Sequence, residues 1–181
     1  MTTLRLILSS IALCGFAYTS IICGFTRIAN PEQVSGSLVK DSSGHIIGSR
    51  LIAQAFTSDH YVHPRPSACD YNARGAAGSN LSPTNPKLAA RALEIIAARQ
   101  ATKENPIPAD LVTASGSGLD PDITEAAARF QVDHVAKARQ IDPSLVIKAI
   151  DQTKRPLMGQ LGGPVLVNVL ELNLALDRLG R

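Results

Sequence analysis

The sequence predicts an α+β domain carried behind one membrane-spanning helix. Three observations predict it. Leu6 to Thr26 is a run of 21 residues without Asp, Glu, Lys, Arg, His, Asn, Gln or Pro. Three later segments open with a capping residue followed by proline, at Asn85-Pro86, Asp120-Pro121 and Asp142-Pro143. Short β-branched or apolar stretches bounded by Gly, Pro and Ser lie around those segments, as strands do.

The apolar run comes first. At about 1.5 Å per residue its helix reaches roughly 30 Å, the thickness of a bilayer's hydrocarbon core. Lipid offers no partner to backbone N–H and C=O groups, so a lone run of this length is expected to be helical. A secretory signal is the alternative, but its apolar core is shorter, roughly 7–15 residues, and ends in a small-residue cleavage site. Here the exit reads Phe25-Thr26-Arg27-Ile28-Ala29-Asn30-Pro31, with Arg27 badly placed for a cut after Ala29. Leu13 and Ile22 precede Cys14 and Cys23, which also argues against a lipoprotein cut. An uncleaved anchor over 6–26 is the expectation. Residues 1–5 form a cytoplasmic tail and 27–181 an extracytoplasmic domain in this reading. Arg5 and Arg27 balance across the run, so the orientation rests on the short tail ahead of a long domain.

About 150 residues remain, enough for one domain with its own core. Removing Arg5 and Arg27 from the 18 basic residues leaves 16 against 15 acidic ones. Without a basic excess or any Trp, the domain offers no electrostatic case for nucleic acid. Two of the three cysteines lie in the apolar run, so Cys69 has no partner in the domain and packing must hold the fold.

In chain order, Ser37–Val39 and His45–Ile47 flank the polar link Lys40–Gly44 and predict a hairpin. Gly48–Phe56 suits a short buried segment. Residues 59–86, rich in Pro, Gly, Asn and Ser, predict a long loop, which in a compact domain is functional or disordered. Asn85-Pro86 predicts a helix to about Thr102, with Leu88, Leu93, Ile95 and Ile96 apolar and Arg91 and Arg99 outward. Leu111–Ala114 suits a strand leading into a small-residue turn at Ser115–Leu119. Asp120-Pro121, or Thr124 as a later cap, opens a helix through Ala138, and Asp142-Pro143 opens another. After the Gly162-Gly163-Pro164 breaker, Val165–Leu170 predicts a buried strand, then a short helix over Leu172–Leu179 capped by Asn173.

Chemistry is sparse. Ser115 and Ser117 sit in a Gly-rich turn, but Ala114-Ser115-Gly116-Ser117-Gly118 lacks the glycine spacing of a nucleophile elbow. His60 and His63 beside Asp59, Cys69 and Asp70 are a weak metal pattern in a proline-rich loop. There is no Walker sequence and no complete Gly-x-Gly-x-x-Gly. Gly78-Ser79-Asn80 and Gly116-Ser117-Gly118 could each offer backbone N–H groups to a phosphate, a generic property. From composition and spacing the expectation is an anchored, non-catalytic α+β domain, with no metal and no catalytic residue. A membrane-anchored serine hydrolase and a metal-binding surface module are the alternatives.

An ordered set of phrases resembles the C subunit of the Kdp-type high-affinity potassium-transporting ATPase. They are the N-terminal span; Gly48-Ser49-x-Leu51-Ile52-x-Gln54-x-Phe56; Tyr61 with Arg65-Pro66-Ser67-Ala68; Gly78-Ser79-Asn80-Leu81 with Asn85-Pro86; Leu111–Asp120; Gln131 with Val135-Ala136-x-Ala138-Arg139; and Val167–Asp177. Two departures stand out, Ala53 where the family usually has Gly and Ala77 in place of the first Gly of a Gly-Gly pair. The resemblance implies a bacterial inner-membrane complex that takes up potassium at the expense of ATP. Its partners would be a channel-like potassium-binding subunit, a P-type ATPase subunit and a small single-span subunit. The C subunit would assemble and stabilise them, and one proposal for the family adds that it raises the ATPase subunit's affinity for ATP. Gln54, Arg65, Ser79, Asn80, Asn168 and Glu171 are then candidates for the polar framework or the partner contact. Gly78, Ser79 and Asn80 are the candidates for nucleotide.

Overall fold

The structure is a computed structural model, and it describes residues 2–99, 101–158 and 162–179. The chain divides into two compact units, with the boundary after Ile47.

The first unit begins with α1, a helix over Thr2–Ala29 that is long and apolar enough to cross a membrane. Its middle, Ile11–Tyr18, widens into a π-helical stretch. The hydroxyls along it fold back onto the helix's own carbonyls: Ser10 Oγ donates to Leu6 O (2.6 Å) and Thr26 Oγ1 to Ile22 O (2.8 Å). Polar side chains satisfied in this way suit a lipid environment. Asn30 leaves helical geometry (φ −143°), and Pro31 starts the single turn α2, Pro31–Val34. The expected hairpin follows as β1, Leu38–Lys40, and β2, Ile46–Ser49. Asp41 Oδ1 closes its link by accepting from the N–H groups of Ser43 and His45, and Gly44 supplies the left-handed turn (φ +84°).

The second unit is built on α3 (Pro86–Ala98), β3 (Asp122–Thr124), α4 (Glu125–Phe130), α5 (Val132–Arg139), α6 (Pro143–Thr153), β4 (Lys154–Pro156), β5 (Val165–Asn168) and α7 (Val169–Leu179). β5 is the middle strand of an antiparallel sheet ordered β3-β5-β4. Ile123 lies opposite Val167, and Lys154 opposite Val167 on the other side. One core joins the sheet to the helices through Ile123, Ala127, Val135, Val146, Ile150, Val167, Leu172 and Leu176. The α+β class therefore holds.

Several element boundaries differ from the sequence reading, each for a local reason. Asp120-Pro121 leads into β3, and Thr124 is the cap that opens α4, accepting from Ala127 N–H (3.2 Å). The expected single helix through Ala138 breaks at Gln131, whose side chain is used elsewhere. Leu111–Ala114 is no strand: Ala109–Leu111 forms a 3₁₀ turn, and Thr113 bonds back to Ala109 O through both N–H and Oγ1. β5 ends at Asn168, because that side chain accepts Glu171 N–H (3.1 Å) and starts α7 three residues earlier than expected. Asn173 is thus buried inside α7, not a cap. In the segment Gly48–Phe56 only Ala53 and Ser49 are buried, with Leu51 and Ile52 exposed. The Asn85 and Asp142 caps stand as read, accepting from Lys87 and Ser144 N–H. α3 stops at Ala98, Leu93 is 65% exposed, and Arg91 and Arg99 lie half-buried on its inner face with Leu88, Ile95 and Ile96.

Candidate functional site

Every candidate from the sequence lies on, or against, the irregular ribbon that follows β2, residues 50–80, and the structure explains how a ribbon without helix or strand is held. Two buried carboxamides do most of it. Val62 N–H donates to Asn173 Oδ1 (2.8 Å) while Asn173 Nδ2 donates to Val62 O (2.9 Å). His63 N–H donates to Gln131 Oε1 (2.9 Å) while Gln131 Nε2 donates to His63 O (3.1 Å). A carboxamide carries donor and acceptor on one edge, as a neighbouring strand would, so each satisfies a buried peptide that has no ladder. Tyr61 adds a clasp beside them. Its ring packs on Phe56, Arg139 stands 5.2 Å over it, and its hydroxyl donates to Asp177, which also pairs with Arg139 at 2.7 Å. Burial, then Asp177, raises the Tyr61 phenol above its ordinary pKa. Burial, then the Arg99 charge, holds the His63 imidazole below its own.

The ribbon's far half packs on the turn Ser115–Asp120. Arg65 Nη1 pairs with Asp120 Oδ2 (3.0 Å), and Ser115 N–H donates to Pro66 O (3.0 Å). Backbone meets backbone here at van der Waals limits. A Cβ on Gly78 would stand 2.7 Å from Gly116 O, and one on Gly118 (φ +70°) would stand 2.8 Å from Ala77 O. The two glycine phrases that read separately as phosphate loops are packed on each other. Ala77, the departure from the family pattern, is exposed, so its methyl group is accommodated. Ser79 is half-buried, and Asn80 is exposed with φ +50°, a turn residue.

The ribbon's near end forms a second cluster. Buried Asn168 donates through Nδ2 to Arg50 O (3.0 Å), and Arg50 Nε pairs with Glu171 Oε1 (2.7 Å). Gln54 lies directly over Gly48, where a Cβ would collide with its Oε1. Ala53 N–H donates to Leu119 O (2.9 Å) and ties the two clusters together. Between them runs a groove of about 490 Å³ lined by Leu51, Ile52, Ser115, Gly116, Ser117, Leu119, Asp120 and Pro121. Leu51 is 59% exposed on its edge.

The profile of the family described as "K+-transporting ATPase, c chain" matches residues 1–178. The chain belongs to that family. The potassium-transporting ATPase KdpC subunit of Pseudomonas aeruginosa UCBPP-PA14 is 46% identical over 168 residues, covering 92% of this chain and 90% of the relative. That of Parvibaculum lavamentivorans DS-1 is 43% identical over 180 residues, with 99% and 96% covered. That of Caulobacter sp. K31 is 49% identical over 171 residues, with 91% and 86% covered.

Within this family member, Ser115 Oγ lies 3.2 Å from Ser117 Oγ and accepts Asp120 N–H, while Ser117 Oγ accepts Leu119 N–H. Both hydroxyls serve the turn that carries Asp120. His134 Nε2 lies 3.1 Å from Asp59, and His63 faces Ser58 O (3.3 Å). Among the described residues no three His, Cys, Asp or Glu side chains converge as a metal site. The sequence reading missed the roles of Asn173 and Gln131. A polar residue inside an otherwise apolar helix stripe, as Asn173 is among Leu170, Leu172 and Leu176, was the available signal.

Proposed function

We propose that this chain is a non-catalytic accessory subunit of an ATP-driven potassium-uptake complex in the bacterial inner membrane. It spans once with residues 6–26, keeps 1–5 in the cytoplasm and holds 27–181 outside. The domain docks on the channel-like subunit and stabilises its assembly with the P-type ATPase subunit and a small single-span subunit. The match of one family over residues 1–178, span and domain together, carries this reading. The local structure supports it. Gln54, Arg65, Asn168 and Glu171 hold the polar framework of the ribbon, and that framework presents Leu51 and Ile52 beside a preformed groove. Exposed apolar side chains on a rigid support are what a partner surface buries. Ser79 is half-buried and Asn80 exposed at the end of the ribbon, which supports a partner contact there. An external domain would raise the ATPase subunit's affinity for ATP through the conformation of the complex. Contact of ATP with Gly78-Ser79-Asn80 would need the opposite topology.

Affinity purification from the native membrane in mild detergent tests the proposal. The channel-like and ATPase subunits should come down in stoichiometric amounts, and Leu51→Ser/Ile52→Ser should cut that yield severalfold with the domain still folded. Recovery of the chain alone, from cells that express those subunits, overturns the accessory reading.

A further inference from the structure

A second cleft, of about 730 Å³, lies apart from the groove, between the end of α3 and the outer face of α5. Arg99, Gln131, His134, Lys137, Asp59 and Phe130 are among the residues that line it. Arg99 lacks the carboxylate contact that five other arginines of the chain have among the described residues. Arg50, Arg65, Arg129, Arg139 and Arg155 each sit on a carboxylate at 2.7–3.0 Å. Arg99 is half-buried, and its guanidinium makes one hydrogen bond among the described residues, from Nη1 to Gln131 Oε1 (3.1 Å). That oxygen is neutral and already accepts His63 N–H. The other four guanidinium N–H donors have no hydrogen-bond partner among the described residues. Burial penalises the charge and lowers its pKa, and the Asp59 carboxylate offsets this only through space, with no ion pair to Arg99 among the described residues.

Lys137 brings a second cation to the same cleft, from the exposed face of α5. The acidic residues decide what kind of anion fits. Asp59 is engaged with His134 at 3.1 Å, and Asp133 stands exposed at the rim. Two cations and two carboxylates leave the lining without net charge to draw in a dianion, so recognition rests on the directed donors of one guanidinium. Phe130, Ala98 and Ala138 supply an apolar wall, and the volume falls in the range of small-molecule sites. We propose that this cleft binds a small organic anion through one carboxylate, held by the Arg99 fork with Lys137 beside it, its apolar part against Phe130. A guanidinium matches a carboxylate in two parallel hydrogen bonds, which an ammonium cannot do. The proposal does not depend on the accessory role.

The test is an NMR titration of the full-length chain in detergent with acetate, and separately with inorganic phosphate, at constant ionic strength. Acetate should move the Arg99 Nε–H and Gln131 side-chain amide resonances along a saturating curve. Arg99→Gln should weaken binding at least about tenfold, and Lys137→Gln about threefold. Lys137 makes no side-chain bond among the described residues, so its variant decides the matter if Arg99→Gln perturbs the fold through Gln131. Arg74→Gln, on an exposed arginine outside the cleft, should leave the curve unchanged. Shifts that grow linearly without saturation, or an unaltered curve in Lys137→Gln, overturn the site. Phosphate binding more tightly than acetate overturns the single-carboxylate assignment.

Discussion

The helix Pro86–Ala98 is regular, capped and amphipathic, yet none of its residues is fully buried; Leu51–Asn80, with neither helix nor strand, contains Val62 with no exposed surface at all. The helix satisfies its own backbone, so it can rest lightly on the domain. The ribbon cannot, and every buried peptide in it must borrow a partner from the body. Regularity and integration into the core are therefore separate properties here. The irregular segment is the more firmly tied of the two, through Asn173, Gln131, Asp120 and the glycine contacts.

The sharpest way to break that comparison is Asn173→Ala. It strands the Val62 N–H and C=O in the core, and the expected loss is about 2–4 kcal/mol of unfolding free energy, read from urea denaturation of the full chain in detergent. A loss under about 1 kcal/mol would mean that the ribbon's peptides reach water and the tie is cosmetic. Gly118→Ala comes next. It combines a left-handed backbone with a Cβ 2.8 Å from Ala77 O, and about 1–3 kcal/mol should be lost in the same measurement. The smallest effect belongs to the helix. Leu93→Gln on α3 should change stability by less than about 0.5 kcal/mol, because that side chain already faces solvent. A larger loss would put α3 in a contact that Leu93 makes, and the contrast with the ribbon would narrow.

Much of the fold was legible because it is written in local signals. The 21-residue apolar run, the hairpin around Asp41–Gly44 and the Asn85 and Asp142 caps act over four residues or along one face, and all four appear where expected. The errors fall where a side chain serves a distant partner. Asn168 ends β5 and caps α7 while also holding Arg50, and Gln131 interrupts a helix in order to pair with His63. Arg99 reads as a solvated helix residue by spacing, yet it turns inward to Gln131 across 32 positions of chain. Among the candidate site residues, Arg65, Asn168 and Glu171 found named partners, but those partners, Asp120 and Arg50, could not be read from spacing.

By itself the sequence determined the long apolar N-terminal helix, the α+β class and the principal caps, because a continuous apolar length, a periodic stripe and a cap each act within a few turns of chain. Its ordered phrases also carried the resemblance to the family. Tertiary structure alone decided that Gly78 and Gly116 meet each other, that two carboxamides replace a missing strand for Val62 and His63, and that Leu51 and Ile52 remain outside. The physical reason is distance: a backbone group left unpaired by its own segment takes whatever partner the fold brings near, and nothing in the local sequence says which one that will be.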